Sequence, residues 1–85
     1  MGMEMNTATR THRVVNLAGA TWIAGDKIGA FQAQRPGYGI QEIATGRFVA
    51  RTGNQPSVWR TRKAAEVNAA HPPVDWPTIE VRLPA

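Results

Sequence analysis

Residues 58–70, VWRTRKAAEVNAA, run directly into His71-Pro72-Pro73, and this stretch constrains the chain more than any other. Thr61 is a good N-cap, because its hydroxyl oxygen can accept from a first-turn N–H that has no partner inside a helix. The spacing predicts a helix from about Arg62 to Ala70. The capping box is incomplete, since Ala64 rather than Glu or Gln stands at the third helical position. Two prolines fix the other end, because the residue before a proline is pushed out of the α region.

The rest of the chain reads as short strands divided by turn residues. Arg13 to Leu17 and Thr21 to Ile23 are strand candidates, ended by Ala18-Gly19 and Gly25-Asp26. Residues 26–35, DKIGAFQAQR, read either way. Asp26 suits the cap of a helix with Ile28 and Phe31 on one face, but Gly29 weakens such a helix by about 1 kcal/mol. A strand through Ala30-Phe31-Gln32-Ala33 reads equally well, with the balance slightly towards strand. Arg35-Pro36-Gly37 is a turn, with proline setting φ for the first central position and glycine free to take the second. Tyr38 to Ile43 and Arg47 to Thr52, reversed through Ala44-Thr45-Gly46, predict a β-hairpin. Gly53 to Ser57 is a loop and Val58-Trp59-Arg60 a third short strand. Thr78 to Leu83, TIEVRL, alternates strictly, placing Ile79, Val81 and Leu83 on one side and Thr78, Glu80 and Arg82 on the other. That is the period of a half-buried strand. It pairs either within the chain, at the edge of its own sheet, or with a second copy. The intrachain route is the expectation, so a monomer is favoured over a homodimer.

At 85 residues the chain has room for one core, and a domain of this size buries only about 60% of its unfolded surface. The expected architecture is therefore α+β: an antiparallel sheet of four or five short strands with one helix packed on it. Residues 1–12 read as a flexible polar tail and residues 13–85 as the domain. There is no cysteine, which removes disulfides and thiolate metal sites. No apolar run approaches the roughly 20 residues of a membrane span, and the N-terminus has no signal-peptide core. A cytoplasmic location without membrane contact is expected.

Catalysis finds no support in the residues. His12 stands in the polar tail and His71 beside the prolines, where a cation suits the helix dipole. The carboxylates are scattered singly, so no acid–base pair is visible. No phosphate-loop or dinucleotide pattern is present. No enzyme, cofactor or metal is expected. Trp22, Trp59 and Trp76 suit base stacking, but in a chain this short a tryptophan more often fills the core. Trp59, between strand and helix, is read as core, whereas Trp76 sits in a loop between Asp75 and Pro77.

Ten Lys and Arg against six Asp and Glu give a formal charge of +4, which favours an anionic partner. Arg60, Arg62 and Lys63 gather where a helix begins, the end that prefers anions. A bound phosphate would relieve that repulsion, although flexible cations pointing into solvent would also remove it. Along 47–52, alternation puts Arg47, Val49 and Arg51 opposite Phe48 and Ala50. If Phe48 faces inward, Arg47 and Arg51 project from an open sheet face. Arg60 would join them from the next strand, and Gln41 from the previous one if the hairpin loop has three residues. Such a face suits a groove of duplex DNA. It also suits water, with Glu42 as a local partner.

The stretch from Tyr38 to Ala70 resembles the AP2-like DNA-binding module found at the arm sites of phage-type tyrosine recombinases. The resemblance lies in Gly46 at a tight turn, Phe48 within the next strand, and Trp59 followed by Thr61, Arg62, Lys63, Ala65 and Glu66. It implies a three-stranded sheet that enters the major groove with the helix packed behind it, in a small regulatory protein of a phage or other mobile element. No recombinase catalytic segment follows, and both Arg13–Arg35 and the C-terminal strand are extra. The expected partner is nucleic acid, duplex DNA favoured, contacted through Arg47, Arg51, Arg60, Arg62, Lys63 and Gln41. The alternative is an interaction or inhibitor module, similar to anti-CRISPR proteins, whose basic face meets an acidic protein surface.

Overall fold

The computed structural model describes residues 10–84. Strands β1 (His12–Asn16), β2 (Thr21–Ala24), β3 (Lys27–Ala30), β4 (Tyr38–Glu42), β5 (Phe48–Val49) and β6 (Thr78–Arg82) and one helix, α1 (Arg62–Ala70), form an α+β unit. All neighbouring strands are antiparallel, in the order β1-β4-β5-β6-β2-β3. The sheet has six strands, beyond the four or five expected. The first nine residues of the expected tail lie outside the described residues. Its last three do not behave as a tail: the Thr11 carbonyl accepts from the Ile43 N–H, Arg10 pairs with Glu66, and β1 begins at His12.

One short turn sets the shape. β1 and β2 are consecutive in the chain yet four strand positions apart in the sheet. In a flat sheet that separation is about 19 Å. The link is only Leu17 to Ala20, closed as a β-turn by the Ala20 N–H donating to the Leu17 carbonyl, with Gly19 at φ 77°. Such a turn spans less than ~7 Å, and one 3.8 Å step on each side brings the reach below about 15 Å. The sheet must therefore curl. Its inner face is filled by Leu17, Ala20 and Phe48, fully buried, with Val15, Phe31 and Val81 packed against them.

The helix covers the outer face over β1 and β4. It buries Ala65 and Ala69, one turn apart, and Ala69 packs with Ile40 and Val49, with Val14, Trp59 and Trp76 around them. Small side chains at that spacing let the helix axis come close to the strands. The helix occupies the residues its sequence predicts, and the Thr61 hydroxyl accepts from the Ala64 N–H at 3.1 Å.

β6 takes an interior position between β5 and β2, not the edge expected of it, and its alternation is met: Ile79 is buried and Val81 half-buried, while Glu80 and Arg82 pair on the other side. Leu83 lies beyond the strand and is exposed. The 26–35 segment is strand rather than helix, but the strand is Lys27–Ala30, three residues ahead of the expected Ala30–Ala33, because Gly29 pairs with Trp22 and residues 31–35 turn towards β4. Gly29 faces Trp22 across the β2–β3 pair, and a Cβ there would overlap the indole ring.

Two outcomes check this arrangement. Gly29→Ala should lower stability by about 1–3 kcal/mol in chemical denaturation, because the methyl displaces Trp22; an unhindered strand glycine would instead gain stability on this change. Removing residues 78–85 takes out a central strand, so cooperative unfolding should disappear; retained cooperativity would show that β6 is dispensable.

Candidate nucleic-acid interface

The hairpin joining β4 to β5 closes on Glu42, whose N–H donates to the Arg47 carbonyl, leaving the four residues 43–46 as the loop. This register pairs Gln41 with Phe48, so Gln41 shares the inner side with Phe48 and not the side of Arg47. Its amide is already engaged: the Gln41 carbonyl oxygen accepts from Arg13 Nε at 2.6 Å and its NH2 donates to the Gly46 carbonyl at 3.0 Å. Arg47 is also held, with Nε donating to Thr78 Oγ1 and Nη2 to the Thr78 carbonyl.

β5 itself is two residues long, and Phe48, Val49 and Ala50 are all buried. Phe48 fills the inner core and Val49 the core under the helix, so neither side of β5 is an open face. Alternation holds through Phe48 and Val49, but it leaves no open face, and it ends where the chain turns after Ala50. Ala50 donates to the Pro77 carbonyl and Gly53 to the Ala50 carbonyl, which makes Arg51 a turn corner rather than a strand residue. The third strand expected at 58–60 is reduced to one bridge, Tyr38 with Trp59, bonded in both directions at 2.9 Å. The place beside β5 belongs to β6. The sheet face that the AP2-like arrangement would offer to a groove is thus an apolar core.

The remaining candidate cations lie elsewhere: Arg60, Arg62 and Lys63 at the start of α1 and Arg51 in the loop facing Trp59. The Tyr38–Trp59 bridge ties the start of β4 to the segment that leads into α1. The Arg51 N–H donates to Ser57 Oγ at 3.0 Å, which brings Arg51 to the same segment. Arg62 lies over the Tyr38 ring, 5.0 Å from its centroid, an attraction worth about 0.5–1 kcal/mol at an exposed site. Arg51, Arg60, Arg62 and Lys63 are exposed, and the first turn of α1 holds no acidic residue. The ion pairs among the described residues are Arg10–Glu66 and Arg82–Glu80, which leaves these four without a carboxylate partner there. Arg35, in the β3–β4 connection, lines a separate small cleft with Gly37 and Val58. No signal in the sequence linked Arg35 to Val58, because the Tyr38–Trp59 bridge that brings their segments together is non-local.

Trp59 and Trp76 pack against Ile40, Val49 and Ala69 from one side. On the other they line an open cleft of about 420 Å3 with Arg51, Thr52, Gln55 and Ser57. Trp59 is therefore both core and surface. Among the described residues no cluster of three metal-ligating side chains occurs, and no helix is long and apolar enough to cross a membrane. No family model, no curated protein and no solved structure significantly matches this chain.

The cap is directly testable. Thr61→Ala should cost about 1 kcal/mol in denaturant melts, and Thr61→Ser should recover most of it. Equal losses for both would mean that the hydroxyl bond to Ala64 contributes nothing.

Proposed function

We propose that this chain is a small nucleic-acid-binding accessory or regulatory protein that grips backbone phosphate at the basic end of its sheet. The observation that carries the reading is the placing of Arg60, Arg62 and Lys63 at the start of α1, with Arg51 in the cleft beside Trp59, all without carboxylate partners among the described residues. Positive charges at a helix N-terminus are repelled by its dipole, and an anion placed there offsets the repulsion. The Arg62 and Lys63 N–H groups at this end have no partner within the helix, whereas Ala64 is capped by Thr61. Stacking on Tyr38 orients the Arg62 guanidinium and leaves donors for a phosphate oxygen. Arg47 and Gln41, by contrast, are used in holding the sheet together.

Phosphate contact of this kind carries affinity without base sequence. The reading of a duplex groove by the sheet is set aside, because that face is filled. A second reading keeps the same surface for an acidic protein partner, in the manner of a small inhibitor. It is favoured by Val58, 43% exposed among the cations, since an apolar centre with a charged rim is common in protein interfaces. Competition with random-sequence nucleic acid separates the two.

Arg51→Ala, Arg60→Ala, Arg62→Ala and Lys63→Ala should each weaken nucleic-acid binding and reduce the salt slope by about one counterion. Their melting should stay within about 0.5 kcal/mol of the parent. Arg47→Ala is the contrast, expected to leave the salt slope nearly unchanged. Titration of labelled duplex and single strands at two salt concentrations checks this; absence of binding to either near 50 mM salt, a low ionic strength that favours such contacts, rejects the reading.

A further inference from the structure

The cleft between the 50–57 loop and the 72–77 connection combines two indoles with a cation. Trp59 and Trp76 are each partly buried, supported from behind by Ile40, Val49 and Ala69 and open towards the cleft in front. Trp59 is fixed further by its two backbone bonds to Tyr38. Rigid aromatic surface of this kind loses little entropy when something stacks on it. Arg51 stands at the rim, its backbone tied to Ser57 and its guanidinium without a carboxylate partner among the described residues. Thr52, Gln55 and Ser57 add hydroxyl and amide groups that both donate and accept. Asp75 adjoins Trp76 in the chain but is absent from the lining. At about 420 Å3 the cleft falls within the size range of small-molecule sites.

We propose that this cleft takes an unpaired nucleobase with its phosphate, so that the preferred ligand is single-stranded rather than duplex nucleic acid. The proposal rests on the phosphate-binding reading above and adds a ligand class to it. A purely apolar ligand would leave Arg51 and the polar rim desolvated without partners. A nucleotide satisfies both halves: the ring stacks on indole and the phosphate meets guanidinium. A paired base cannot enter, because its faces are occupied by its neighbours in the stack. The chain leaving Trp59 continues through Arg60, Arg62 and Lys63, so the phosphates beyond the held nucleotide have cations along their path.

The test compares four labelled or competing ligands on the unaltered protein: an oligothymidylate, an abasic deoxyribose-phosphate oligomer of the same length, a mixed-sequence duplex, and thymidine monophosphate. The oligothymidylate should bind about tenfold more tightly than the abasic oligomer. It should also quench emission in a Trp22→Phe background, where Trp59 and Trp76 are the remaining tryptophans. Trp76→Ala should remove the preference for bases and Trp76→Phe should keep most of it, with affinity for the abasic oligomer equal in both. Equal binding of oligothymidylate and abasic oligomer by the unaltered protein overturns the base site while leaving phosphate binding intact. Tighter binding of duplex than of single strand overturns it as well. Failure of every polyanion rejects both readings together. Monophosphate binding as tightly as the oligomer shows a free nucleotide as the ligand and overturns the single-strand assignment.

Discussion

The contact of Leu17 with Phe48 is the interaction on which the remaining architecture depends. Leu17 opens the turn that carries the chain from one side of the sheet to the other, and Phe48 sits in the middle strand region; both are fully buried together with Ala20. Burying side chains of this size contributes roughly 1.5–3 kcal/mol each, a large share of what a domain this small can hold. The turn alone would leave a strained, open sheet. With Phe48 beneath it, curling becomes favourable, and Val15, Phe31 and Val81 close around the pair. The helix then has the other face to itself, approached closely through Ala65 and Ala69.

That division explains which arginines remain available. A strand with both sides covered has no free face, so cations near it are drawn into the structure: Arg13 onto Gln41, Arg47 onto Thr78. Cations on loops and at the helix start escape this. The Tyr38–Trp59 bridge holds Trp59 at the boundary between core and cleft. Stability and the candidate site thus share residues: Trp59 and Trp76 are platforms because they are also half-buried supports of the core under the helix.

The helix was legible in advance from Thr61 at one end and His71-Pro72-Pro73 at the other, because capping and proline sterics act within a few residues. So were the alternation of β6 and the turns at Ala18-Gly19 and Gly25-Asp26. The turn expected at Arg35-Pro36-Gly37 falls instead at 32–35, closed by the Arg35 N–H on the Gln32 carbonyl, and Gly37 keeps a negative or extended φ as it leads into β4. The candidate site was legible in part: Arg51, Arg60, Arg62 and Lys63 stand out as charge near a helix start, whereas Tyr38 and the pairing of Trp59 with Trp76 carry no local mark. Gln41 and Arg47 were misplaced by assuming that one face of the hairpin stays open and that its loop has three residues.

Local chemistry in the sequence therefore determined the helix with its limits, most of the strands and the basic balance, but not the shortening of 47–52 to two strand residues or of 58–60 to one bridge. It left open which strands become neighbours. Period-2 alternation states that a strand has two sides but not what covers each, and the inclusion of β6 between β5 and β2 depends on contacts between residues some thirty to sixty positions apart. Only the folded chain decided that the sheet curls, that Phe48 and Val49 are buried on opposite sides, and that Arg51 meets two tryptophans in one cleft. The physical reason is that backbone preference and capping are paid within a turn, while burial is shared across the whole sheet.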